Sequence, residues 1–127
     1  MHRLCIVLAF VLGTAAPAAA AWLEADDAAM DDFGMITAIG TKCGGASADA
    51  PVMKAEVKKY LAIHAKTATE RARADAKLKD ATAKALDKLK TSSDPNLVCK
   101  LRDAATDEFI RKLKTANRTG ASYLSVR

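Results

Sequence analysis

Residues 51–91 read PVMKAEVKKYLAIHAKTATERARADAKLKDATAKALDKLKT. After Pro51 the run contains neither glycine nor proline. Its apolar positions recur at helical spacing, so local pattern alone predicts one unbroken helix. That rod would measure about 60 Å at the helical rise. Cys43 and Cys99 stand on either side of it. If they form one intramolecular disulfide, their Cα atoms lie within about 7 Å of each other. The flanking segments, fully stretched, and the bridge together reach no more than about 55 Å. A straight rod does not fit, and the run must fold back. The reversal is placed near residues 66–71, where Thr67-Ala68-Thr69-Glu70 matches the S/T-x-x-E capping box that starts a helix. An intermolecular bridge would restore the long helix.

The bridge itself is inferred from the beginning of the chain. Residues 1–20 have the form of a bacterial secretory signal: Arg3, then the apolar run LCIVLAFVL over 4–12, then Gly13, Thr14 and Pro17. Ala18-Ala19-Ala20 fits the small-x-small cleavage pattern, which places the cut after Ala20. The apolar run is short for a membrane anchor, and Cys5 lies on the wrong side of it for a lipoprotein. Cys43 and Cys99 are then the two cysteines of the mature chain, in an oxidising compartment, periplasmic or secreted. Closing a loop of this length contributes roughly 4 kcal/mol by the chain-entropy estimate. There is no C-x-x-C for thioredoxin-like redox work and no C-x-x-C-H for covalent haem.

The helical pattern extends to both flanks. Ala29, Phe33, Ile36, Gly40 and Cys43 share one face of a helix over about 22–42 that ends at Gly44-Gly45. Met53, Val57, Tyr60, Leu61 and His64 form the stripe of a second, over 52–66. Leu78, Thr82, Ala85, Leu86 and Leu89 mark a third, over 69–91, where Asp75–Lys79 and Asp80–Lys84 are candidate i,i+4 pairs. Ser93 or Asp94 caps a fourth, with Pro95 in its first turn and Val98, Leu101, Ala105, Phe109, Leu113 and Ala116 on one face over 95–117. No stretch alternates as a strand does. The chain is therefore read as all-α: a signal peptide at 1–20, then a small up-down-up-down four-helix bundle with one disulfide at 21–120, then a flexible tail at 121–127. In that topology Cys43 and Cys99 meet at one end of the bundle.

Charge is unevenly spread. Glu24, Asp26, Asp27, Asp31 and Asp32 precede Lys42, and from there bases outnumber acids nearly two to one. An acidic first helix lying against a basic remainder accounts for this. A net charge of +5 is small, and the alternating signs over 54–90 do not form a nucleic-acid patch. Weak binding to an anionic surface is the functional alternative for those lysines. The four aspartates lack the glycine-bearing loop of a calcium site and read as a solvated helix start.

His64 is the one histidine beyond the signal segment. It sits on an apolar stripe and reads as a packed or rim histidine. The sharper reading is a metal or haem ligand, with Met30, Met35 or Met53 as partner. Small exported haem-carrying bundles pair a Met of the first helix with a His of the last, whereas here the last helix has no histidine. One histidine supplies no catalytic set. The expectation is a non-enzymatic exported protein without a cofactor, binding a protein partner or serving a structural or stress role. In its exported, two-cysteine, helical plan the chain resembles the small periplasmic acid-stress chaperones, which implies a periplasmic holdase as the alternative.

Overall fold

The computed structural model describes residues 22–91 and 94–126. The signal segment read at 1–20 lies outside them, as does Ser93. Among the described residues there are four α-helices and no strand: α1 (Glu24–Cys43), α2 (Ala50–His64), α3 (Ala68–Leu89) and α4 (Pro95–Thr119), followed by a single 3-10 turn (Tyr123–Ser125). The run over 51–91 breaks where the capping box stands. Thr67 Oγ1 accepts from the Glu70 amide at 3.1 Å, and the Glu70 carboxylate accepts from the Thr67 amide at 3.0 Å. Cys43 and Cys99 are bonded, with their Cα atoms 5.1 Å apart. At the end of α1, Gly44 takes a left-handed turn at φ 98°, and the Gly44 and Gly45 amides both return to the Gly40 carbonyl. Asp94 caps α4 through the Asn96 and Leu97 amides.

Helix directions alternate, as the up-down-up-down reading requires, but the closest partners are not the helices adjacent in sequence. The parallel helices α1 and α3 lie along each other, α1 also lies along α4, and α4 along α2. The order across the molecule is therefore α3, α1, α4, α2. Ion pairs mark the parallel register of α1 and α3: Asp27–Arg73 at 2.8 Å and Asp31–Lys77 at 3.4 Å. The acidic helix does lie against basic residues. Gly34 permits the close approach, because a Cβ built there would stand 2.7 Å from Ala81 Cβ and 2.8 Å from the Thr82 nitrogen.

Met30, Val57, Tyr60, Phe109 and Leu113 fill the core between α1, α2 and α4. The tail reading is corrected for 121–126. Tyr123 and Val126 are buried in this same core, and the Tyr123 amide donates to Tyr60 Oη at 3.0 Å. Burying a tyrosine and a valine offsets the entropy of ordering a few residues. Leu101, placed on the apolar face of α4 by its spacing, is instead exposed.

Candidate functional site

Because α2 and α3 occupy the two ends of that order, the bundle stays open between them. The opening is a cleft of about 870 Å³. Phe33, Ile36, Thr37 and Gly40 of α1 and Thr106 of α4 line it, as do Ala50 and Met53 of α2, Leu78, Thr82, Ala83 and Leu86 of α3, and the 44–47 loop. The disulfide stands beside that loop, since Gly44 follows Cys43. Arg102 holds the loop from α4: its Nη1 donates to the Gly45 carbonyl at 2.9 Å, and its Nε donates to Asp103 at 2.9 Å.

The lining is more apolar than its composition suggests. Four of its threonines donate their hydroxyl protons to their own helix, four residues back. These bonds are Thr37 to Phe33 O (2.8 Å), Thr41 to Thr37 O (3.1 Å), Thr82 to Leu78 O (2.7 Å) and Thr106 to Arg102 O (2.7 Å). Their hydroxyl protons are therefore committed before any ligand arrives. No carboxylate lines the cleft, whereas three cations do: Lys54, Lys79 and Arg102.

The helix α3 presents two different surfaces. Ala74 and Ala85 are buried and Ala81 meets Gly34, while Leu78, Thr82 and Leu86 border the cleft. The stripe read from the sequence combined these two surfaces. Leu78 and Leu86 of that stripe are cleft residues, and the signal that could have separated them is the alanine spacing on the other side.

At the far end of α2 lies a polar network that the sequence reading did not find. Asp26 is 1% exposed. Its Oδ2 accepts from the Leu23 amide at 2.8 Å, and its Oδ1 accepts from the Tyr60 hydroxyl. Tyr60 in turn accepts from the Tyr123 amide, and the Tyr123 hydroxyl donates to Asp32. Burial, reinforced by these aspartates, pushes both phenols far above the ordinary tyrosine range. His64 stacks on the Tyr60 ring, with centroids 4.2 Å apart, and its Nδ1 stands 3.6 Å from Asp26. Its Nε2 is buried without a hydrogen-bond partner among the described residues.

The four aspartates thus have separate partners: Asp26 is buried and Asp27 half-buried, whereas Asp31 and Asp32 remain exposed, as a solvated helix start would be. Asp27 accepts from the Trp22 indole at 2.6 Å and from Arg73. Burial pushes its carboxyl up, but these bonds outweigh that and hold it below the usual value. Met30 and Met53 are buried, while Met35 is partly exposed. Among the described residues no group of three His, Cys, Asp or Glu side chains is arranged to hold a metal ion. No helix there is long and apolar enough to cross a membrane. No protein family, curated protein or solved structure matches this chain.

Proposed function

We infer that this is a small exported, non-enzymatic binding protein whose cleft holds an apolar ligand. The observation that carries the reading is the cleft itself. Its volume falls in the usual range for small-molecule sites, about 300–1,000 Å³. All four helices line it, its threonine hydroxyls are internally satisfied, and a disulfide pins one end. Export rests on the signal-like segment and on the bridge, which persists in oxidising compartments. A neutral naphthylamine dye, fluorescent in apolar surroundings, tests the reading. It should bind the oxidised protein saturably. Ala83→Phe, at an exposed residue on the cleft, should weaken binding while far-UV circular dichroism stays unchanged. Dye binding that ignores Ala83→Phe would remove the cleft as the site.

The holdase reading is favoured by one separate feature. Leu97 and Leu101 lie four apart on α4 and are each at least half exposed, at 54% and 50%. Suppression of client aggregation at about pH 3, lost in Leu97→Ser/Leu101→Ser, is the outcome that reading requires.

A further inference from the structure

We propose that the ligand is a free long-chain carboxylate, its chain lying against the α1 floor and its head held between Lys54 and Lys79. This rests on the reading of the cleft as a binding site. Lys54 comes from α2 and Lys79 from α3, the two helices between which the bundle is open. Neither lysine has an ion pair among the described residues, so the Asp75–Lys79 pair expected from sequence is absent. Arg102 differs, because the Gly45 carbonyl and Asp103 already engage it. The lining therefore offers two uncommitted cations and no carboxylate to repel an anion.

The walls select the rest of the molecule. Lys79 is adjacent to Leu78 in a lining that also contains Phe33, Ile36, Met53 and Leu86. With the threonine hydroxyl protons committed to helix carbonyls, an extended peptide would bury most of its carbonyls where only the lysines remain free to donate. Each carbonyl left unsatisfied in this way is costly to bury. An alkyl chain has no such requirement and gains with every methylene it buries. Two flexible ammonium groups suit a single carboxylate head as point charges.

Displacement of the neutral dye from the oxidised full-length mature protein tests this. Laurate and dodecanol, matched in chain length and used below their aggregation limits, are compared on the wild type and on Lys54→Gln/Lys79→Gln. Laurate should displace the dye at about tenfold lower concentration than dodecanol, and the double variant should lose that preference while still binding dye. Equal displacement by both on the wild type would overturn the carboxylate assignment and leave the cleft reading standing. Failure of the dye itself to bind would overturn both. Phosphatidylglycerol vesicles that displace dye while monomeric laurate does not would overturn the proposal in favour of a membrane-surface site.

Discussion

Gly34 and Gly40 lie on the same helix, and the same substitution should change stability in opposite directions at the two positions. In an exposed helix interior, Gly→Ala gains about 1 kcal/mol. At Gly40 the new Cβ would find its nearest neighbour, the Gly45 carbonyl oxygen, at 3.4 Å, and the next atom at 3.6 Å. That is close to ordinary contact, so most of the helical gain survives, reduced to about 0.5 kcal/mol by its place in the last turn. At Gly34 the Cβ would stand 2.7 Å from Ala81 Cβ, 2.8 Å from the Thr82 nitrogen and 3.0 Å from the Ala81 carbonyl carbon. Two of those atoms are backbone, so no side-chain rotation relieves the clash and α3 must move off α1. Overpacking costs about 1–3 kcal/mol, and a backbone collision belongs at the upper end. Subtracting the helical gain leaves Gly34→Ala destabilised by about 2 kcal/mol. Urea unfolding followed by Trp22, the single tryptophan and buried in the native state, reads both variants. The midpoint should fall for Gly34→Ala and rise slightly for Gly40→Ala, with the slope unchanged in both. A Gly34→Ala protein at least as stable as the wild type would refute the close seam between α1 and α3, and with it the account of why the cleft is open.

Replacing Cys43 and Cys99 with serine should cost roughly 4 kcal/mol from the 56-residue separation, seen as a matching drop in urea midpoint; a loss under about 1 kcal/mol would show that the open chain is already held at that end. Tyr60→Phe removes the donor to buried Asp26 and the acceptor of the Tyr123 amide, and should destabilise by about 3 kcal/mol, with Tyr123 more accessible to iodination or quenching. Tyr60 and Tyr123 are the only tyrosines, and both are pushed upward, so the native protein should show no phenolate absorbance at about pH 11 and then a single cooperative rise on unfolding; one phenol titrating near pH 10 would contradict the network. Asp27 is held below its ordinary value of 3.8, so the unfolded chain binds its proton first as pH falls. Its contribution is complete above that value and is lost as pH drops through the lower folded one. Asp27→Asn should therefore flatten the loss of stability below about pH 4, and an unchanged acid limb would contradict the Trp22–Asp27–Arg73 arrangement.

The parts of this fold that were legible in the sequence share a property: each is a constraint that one or two residues impose regardless of their surroundings. A bridge between Cys43 and Cys99 limits distance whatever packs around it, so the reversal near Thr67 followed from arithmetic and the capping box marked its place. Gly44-Gly45 ended α1 for a similarly local reason. What stayed hidden depends on which surface meets which. Asp26 looks like any acid in a first helical turn, and its burial needs Tyr60, thirty-four residues away, to supply a proton. Tyr123 and Val126 have no periodicity to announce them, and they are ordered because a core built by other elements has room for them. The cleft was hidden twice over. The leucines of α3 read as core because large apolar side chains usually are. Of the alanines that do pack, only Ala85 falls on the leucine stripe, although smallness is what lets two parallel helices approach at Gly34. Once the alanine surface of α3 is spent on α1, Leu78 and Leu86 are left only partly buried at the border of the cleft, since α2 is held on the far side of α4. An apolar surface left half-covered in this way, by a packing choice made elsewhere, is where a ligand can supply the missing contacts.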